Sequence, residues 1–307
     1  MSDKRTFTGN LLYGLMHLIG LLPAWWHYLW ADVAAFLLRK VFRYRLDTVR
    51  GQLTRVFGKE GKKYIKPFYR HLADLAVEYF MLAGFDEKGF AEHAVVTNPE
   101  IFGELHREGH HNLFLLIGHL GNWEYYTGFN LFCDTEFNVL YKRQHGVGNE
   151  VFSRLRSKFG SRLLDKNEAG SYIVSHRRDP INRTYIFAAD QEPPYGSINL
   201  YTRFLGQPTA TFTGAERLAS ALSAPVIYTH SRQTKRGHYE VTLELITKDA
   251  SSLAKGDLSI KYMELLEKDI LMAPEQWLWS HRRWKHTLEW RKANDPNFDR
   301  QNIRINL

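Results

Sequence analysis

The chain of 307 residues is long enough for one large α/β domain or two small ones, and its 44% apolar content is ample for a core. Its net charge is +8 and its aromatic content is 14%, with eight Trp. Cys133 is its only cysteine, which excludes an intrachain disulfide and a cysteine-based metal site and fits a reducing, cytosol-facing location.

Residues 1–10 are polar, with Lys4 and Arg5 ahead of two apolar blocks, Leu11 to Leu22 and Trp25 to Leu38, joined by Pro23 and interrupted by His17, His27 and Asp32. Each block is shorter than the roughly 20 residues that cross a bilayer. Three arrangements suit them: one kinked span, a bent amphipathic anchor with Trp25, Trp26, Tyr28 and Trp30 at headgroup level, or a helical hairpin buried on the domain. No small-residue cleavage site closes the run, which argues against a signal peptide. Between Arg39 and Arg70 follow eleven Lys or Arg against Asp47 and Glu60, a local net of +9. A basic cluster beside an apolar stretch suits an anionic leaflet, although a solvated helix surface has the same composition. The chain carries no nucleic-acid motif to favour that partner.

From Tyr64 to Leu82 apolar residues recur at helical spacing, with Glu78 read as a surface or capping charge. Gly84, Gly89, Asn98 and Pro99 punctuate a connector, and Pro99 to Glu108 reads as a short helix. The α/β pattern then begins at Leu113. Strands are expected at Leu113 to Ile117, Phe137 to Tyr141, Thr184 to Ala189, Pro225 to Thr229 and Tyr239 to Ile246. Helices are expected at Asn149 to Phe159, Gly170 to Arg178, after Thr213 through Leu222, and Ser259 to Met272, with a basic turn at Arg232 to Gly237. The small-residue stretch Thr209 to Arg217 suits either phosphate contact with backbone N–H groups or a tightly packed helix start. The ending Trp277 to Lys285 interleaves aromatic and basic residues, as a headgroup-facing surface would. Polar residues gather at the C-terminal ends of successive strands, where open α/β sheets bind ligands. No internal repeat, Walker loop, Rossmann glycine fingerprint or zinc signature is present.

The stretch Gly118-His119-Leu120-Gly121-Asn122-Trp123-Glu124 places a histidine and a carboxylate where an apolar strand hands over to a helix capped by Asn122. On one continuous helix residues five apart would point about 140° away from each other. With His119 in the loop and Glu124 in the first turn, the chain can fold back and let the carboxylate hold the imidazole Nδ1–H. With 14 His and 33 acidic residues, chance supplies one or two pairs at this spacing, and three occur: His27/Asp32, His119/Glu124 and His145/Glu150. Only the middle pair follows a buried-strand pattern and opens a helix. The competing reading of His119 is a structural histidine.

Together with Tyr141-Lys142-Arg143, Arg156-x3-Gly160, Ala189-Asp190-Gln191, Phe204-Leu205-Gly206, Thr213-Gly214 and Trp277 to Trp284, this stretch resembles the lysophospholipid acyltransferase superfamily, specifically its bacterial lipid A biosynthesis (late lauroyl or myristoyl) acyltransferases. The match runs in family order over roughly residues 8 to 287. Gln52-Leu53 and Phe57-Gly58 depart from the family's usual asparagine-leucine and Phe-Pro, and Glu192-Pro193-Pro194 replaces its usual acid and glycine. Those departures leave acyl length and acceptor position open.

The resemblance implies a mixed central α/β sheet flanked by helices, glycerol-phosphate-acyltransferase-like, with an N-terminal apolar and basic membrane anchor over 1–45, the catalytic domain over 46–290 and a tail over 291–307. It implies acyl transfer from acyl carrier protein to a hydroxyl of an anionic glycolipid, a lipid A precursor, at the cytoplasmic face of the bacterial inner membrane, with no metal or organic cofactor. His119 is then the general base and Glu124 its orienting carboxylate. Asn122, Lys142, Arg143, Arg156, Asp190 and Gln191 are the substrate-binding candidates, and the oxyanion donors are the backbone at Gly121 and Asn122 or the side chain of Arg156. The alternatives are an acyltransferase for another membrane glycolipid, phospholipid or aminolipid, and a non-catalytic peripheral membrane protein.

Overall fold

The structure, a computed structural model, describes residues 6–144 and 146–307, so Lys4, Arg5 and the histidine of the His145/Glu150 pair lie outside it. The chain opens with α1 (Phe7–Gly20) and α2 (Ala24–Phe36), the latter running on as a π-helical turn to Val41. Pro23 separates them, and the pair is bent by 109°. Among the described residues, no single helix is long and apolar enough to cross a membrane. Then come α3 (Leu46–Phe57), α4 (Ile65–Gly84), α5 (Glu87–His93), β1 (Ala94–Val96) and α6 (Glu100–Arg107).

The α/β part continues with β2 (Asn112–Ile117), β3 (Glu136–Tyr141), α7 (Val147–Arg156), β4 (Arg162–Asp165), α8 (Ala169–Ser175), β5 (Arg183–Ala188), β6 (Leu200–Phe204) and β7 (Gln207–Ala210). It ends with α9 (Gly214–Ala221), β8 (Val226–Lys235), β9 (His238–Thr247), α10 (Asp257–Met272), α11 (Leu288–Asn294) and β10 (Arg304–Asn306).

The main sheet has the order β1-β9-β8-β2-β5-β3-β4, parallel except where β8 meets β9. Its central strands carry short apolar runs because both faces are covered, and their period of two sorts the side chains. Phe114, Leu116, Tyr185, Phe187, Val226 and Tyr228 join one core with α9 and α10; Leu113, Leu115, Ile117, Ile186 and Ile227 join another with α6. The two strands β2 and β5 pair in register from Asn112 with Arg183 to Ile117 with Ala188. Their ends are level, and this sets up the site.

A second sheet, β10-β6-β7, accounts for the chain's end. A boundary at 290/291 cuts α11, and β10 pairs in parallel with β6, so residues 291–307 return to the fold. The tight link between β6 and β7 places Leu205 at φ 51° and Gly206 at φ 73°, a hairpin turn with a leucine where glycine or asparagine is usual. The reversal between β8 and β9 is also shorter than the sequence suggests, because Arg232 to Lys235 are in the strand.

Helices α1 and α2 lie across α4. Gly20 and Gly84 make the first crossing possible: a Cβ on Gly20 would sit 2.3 Å from the Phe80 carbonyl oxygen. Two of the three polar interruptions in the apolar blocks pair with the rest of the domain, and the third is buried. His17 Nδ1 donates to the Ala83 carbonyl at 2.8 Å, His27 is buried, and Asp32 pairs with Arg70 and Arg236. Leu11, Leu15, Leu18, Trp25, Leu29, Trp30 and Phe36 stay exposed on the outer side, so the pair is not a buried hairpin.

Candidate active site

Two residues past the level ends of β2 and β5 stand His119 and Asp190, which the strand register brings face to face. His119 Nδ1 donates to Asp190 Oδ1 at 2.6 Å, and the His119 backbone N–H donates to Oδ2 at 3.0 Å. Trp277 Nε1 donates to the same Oδ2 at 2.8 Å. Trp277 arrives there because its segment pairs with the histidine loop, through a bridge with Leu120 and a bond from Leu278 N–H to the His119 carbonyl at 3.1 Å.

Burial opposes charge on both partners, but their mutual attraction wins. Burial alone would lower the His119 pKa; the Asp190 charge and hydrogen bond, with a weaker contribution from Glu124, raise it above its ordinary value. Burial alone would raise Asp190, yet His119 and the other donors hold it well below the usual carboxylate range. With Nδ1–H committed to Asp190, Nε2 is the free lone pair, and the Gln191 amide donates to it at 3.2 Å. This is a base oriented by a buried carboxylate, the arrangement that lets an imidazole take a hydroxyl proton.

Glu124 does not hold His119, contrary to the role expected from the spacing. Its Oε2 and Oε1 accept from Arg156 Nε at 2.8 Å and Nη2 at 2.6 Å, a bidentate pair that uses the carboxylate fully. Asn122 caps the turn as expected, accepting from Glu124 N–H at 3.1 Å, but residues Trp123–Leu131 form a 3-10 helix rather than an α-helix. Asn122 Nδ2 points inward and donates to Glu78 at 2.8 Å, so it anchors the loop from below. Gly121 is required here. Its φ is +63°, and a Cβ would lie 2.6 Å from Ser231 Oγ.

Glu78 is fully buried, not the surface charge expected. Burial pushes it up to about 7, against donors from Asn122, Tyr239 and Tyr28. Lys142 and Arg143 stand exposed after β3. The Thr209 segment is packed rather than open, with Trp284 Nε1 donating to Thr209 Oγ1 at 2.7 Å. The Trp277 to Trp284 stretch is also interior: Trp277, Trp279, Arg283 and Trp284 are buried, not facing headgroups.

A groove of about 720 Å³ runs past Trp123, the neighbour of the His119 ring. Its walls are Leu12, Leu15 and Ile19 of α1, Leu72, Leu75 and Tyr79 of α4, and Val151 and Phe152 of α7, with Trp123, Glu124 and Arg156 also lining it. Trp123 packs edge-on against the His119 ring with centroids 5.1 Å apart.

A family model described as bacterial lipid A biosynthesis acyltransferase matches residues 2–286. The chain belongs to that family. It is therefore an acyltransferase of lipid A biosynthesis. Among curated proteins, no sequence matches it. The acyltransferase's matched span includes every residue discussed above from α1 through Trp284.

Proposed function

We propose that this acyltransferase moves a fatty acyl chain from the thioester of acyl carrier protein to a hydroxyl of a lipid A precursor, with His119 as general base and Asp190 as its orienting carboxylate. The observation that carries the reading is the His119–Asp190 pair beside the end of an apolar groove of about 720 Å³. A groove lined by Leu, Ile, Val and aromatic side chains suits a hydrocarbon chain, and only Glu124 and Arg156 among its lining residues carry charge. The charged pair marks the end at which a thioester carbonyl belongs.

In the reaction the acceptor hydroxyl takes the place of Gln191 at His119 Nε2. The hydroxyl oxygen attacks the thioester carbonyl as its proton passes to Nε2, and Asp190 stabilises the resulting imidazolium. Glu124 fixes Arg156 through Nε and Nη2, leaving Nη1 to meet the developing oxyanion. Collapse of the tetrahedral intermediate breaks the C–S bond, and the departing thiolate recovers the proton from His119. Glu124 thus acts through Arg156 rather than through the imidazole.

The outer side of α1 and α2 supports the proposal that the protein sits at the cytoplasmic face of the inner membrane. The two helices present leucine, phenylalanine and tryptophan outward while His17 and Asp32 pair with the rest of the domain and His27 is buried, and the +9 segment follows directly. A helix pair bent by 109° with one apolar side suits a surface-lying anchor. The first of these helices, α1, also walls the groove, so an acyl chain enters from the lipid side.

Mass spectrometry of lipid A tests the reading, in cells that lack their own late acyltransferase and carry the wild-type chain, His119→Ala or Asp190→Asn. The expected result is one added acyl mass with the wild type, absent with either variant. Unchanged lipid A with the wild type would redirect the assignment to another membrane glycolipid, phospholipid or aminolipid. An added chain that persists in His119→Ala would remove the base.

A further inference from the structure

A second cavity lies beside the loop that follows Gln191. Immediately beyond Gln191 the chain turns through Glu192-Pro193-Pro194-Tyr195, which form one wall of a polar basin of about 840 Å³. The other walls are Arg43, Arg45, Asp47 and Thr48 before and within α3, and His281, Arg282, Lys285 and His286. The basin shares no lining residue with the groove. It is tied to the catalytic centre by His281, whose Nε2 accepts from the Glu192 backbone N–H at 3.0 Å and whose charge state is influenced by both Asp190 and His119.

The basin's charge is one-sided. Four permanent cations, Arg43, Arg45, Arg282 and Lys285, face two carboxylates, and one of those is already matched: Glu192 accepts from the buried Arg283 at 3.1 Å and from His286 N–H at 3.0 Å. Asp47 against the four cations leaves three positive charges. Among the described residues none of the four cations forms an ion pair.

The backbone is built to hold them there. Arg43 and Arg45 are both left-handed, at φ 48° and 49°, a conformation that costs energy for a residue with a Cβ. Bonds on either side fix it: Tyr44 N–H to Leu38 carbonyl at 2.8 Å, Leu46 N–H to Arg43 carbonyl at 3.0 Å and Tyr69 hydroxyl to Tyr44 carbonyl at 2.6 Å. Arg45 Nη1 donates to the Ser280 carbonyl at 2.9 Å, joining the two basic walls. Behind them Gln52 clamps the second wall through the Trp279 and His281 carbonyls at 2.6 and 2.7 Å and the Arg283 N–H at 2.7 Å.

We infer that this basin is a subsite for a phosphate ester on the sugar headgroup of the acyl acceptor, held by Arg43, Arg45, Arg282 and Lys285 while the groove holds the acyl chain. The inference rests on the lipid A precursor reading above. A phosphomonoester dianion fits a net of three positive charges and the forked donors of arginine. The singly charged phosphodiester of the carrier's prosthetic arm and the anionic headgroups of the bilayer are the other sources of the same chemistry.

The test uses the full chain in detergent micelles with acyl carrier thioester as donor, and compares wild type with Arg282→Ala/Lys285→Ala. Acceptor is supplied intact or with its phosphates removed. The double variant is expected to raise the acceptor KM about ten- to a hundredfold, the scale of losing two charge-assisted contacts, with the gap closing on the dephosphorylated acceptor. An equal loss on both acceptors, a rise in donor KM instead, or a matching loss of binding to phosphatidylglycerol vesicles would each overturn the assignment. A second arm needs no turnover: modification of arginines by phenylglyoxal, mapped by mass spectrometry, with glucosamine 1-phosphate as protectant and glucosamine as control. Protection of Arg43 and Arg282 by the phosphate alone supports the subsite, and equal modification in both refutes it. Failure of the wild type to acylate any lipid A precursor would instead strike the acceptor reading, which the protection arm does not depend on.

Discussion

Two stretches of this protein share one composition and have opposite fates. Residues 7–42 and residues 277–290 are both rich in tryptophan and flanked by basic residues, but Trp25 and Trp30 are 68% and 51% exposed, whereas Trp277 and Trp279 are 3% and 0% exposed. The difference lies in the polar groups. In the tail, each of the three buried indoles has an acceptor inside the fold: Trp277 Nε1 reaches Asp190, Trp279 Nε1 reaches the Pro274 carbonyl at 2.6 Å, and Trp284 Nε1 reaches Thr209. A buried indole needs such a partner, and supplying one converts an interfacial composition into core. The hairpin instead pairs His17 and Asp32 with α4, buries His27 and leaves Trp25 and Trp30 outside.

The comparison predicts that the tail contributes to chemistry through Asp190 and that the hairpin does not. Asp190→Asn should therefore produce the largest effect, a fall in kcat of about a thousand- to ten-thousandfold, because an amide cannot stabilise the imidazolium and can favour the wrong tautomer. Steady-state kinetics with circular dichroism to confirm folding would read it. A loss under tenfold would mean that Glu124, not Asp190, carries the orienting role after all.

Next come the buried rings. Trp279→Ala should cost about 3–5 kcal/mol in stability, the usual range for emptying a well-packed aromatic site. Gln52→Ala should cost about 2–4 kcal/mol, since it strands two carbonyls and one N–H of the tail. Urea denaturation in detergent measures both, and a change under about 0.5 kcal/mol in either would break the claim that the tail is core. Trp25→Ala with Trp30→Ala should leave stability within about 0.5 kcal/mol. Partition onto anionic vesicles should fall by tenfold or more, given about 1.5–3 kcal/mol for burying each ring.

The sequence makes the main sheet largely legible, because residues 113–117 in β2, 185–188 in β5 and 226–228 in β8 are the short apolar runs that two-sided burial explains. His119 is legible for the same reason, standing just past a strand end. Its partner is not. Glu124 is near in sequence, whereas Asp190 becomes near only through the register of β2 on β5, a pairing of strands about seventy positions apart. The clue available was that both residues follow a buried strand by two positions. The second sheet is hidden differently: Leu205 occupies a left-handed turn position, so the β6–β7 hairpin lacks its usual Asn-Gly signal. Gln52, a departure from the family pattern in the sequence, proves to be the residue that ties α3 to the tail.

The smallest effect is a shift rather than a loss, and it separates the two carboxylates near His119. Since Asp190 and, more weakly, Glu124 raise the His119 pKa above 6.5 against its burial, the acid limb of kcat/KM should lie above pH 6.5, with activity rising as the imidazolium loses its proton. Removing the Asp190 charge leaves burial dominant, so the limb of Asp190→Asn, measured on its residual activity, should move below pH 6.5. Glu124→Gln removes the lesser contribution and should move it in the same direction by less. A pH–rate series on the three proteins reads both displacements against one another. If Glu124→Gln moved the limb further than Asp190→Asn, the group titrating would belong to the Glu124–Arg156 side, and the tail would lose its place in the chemistry.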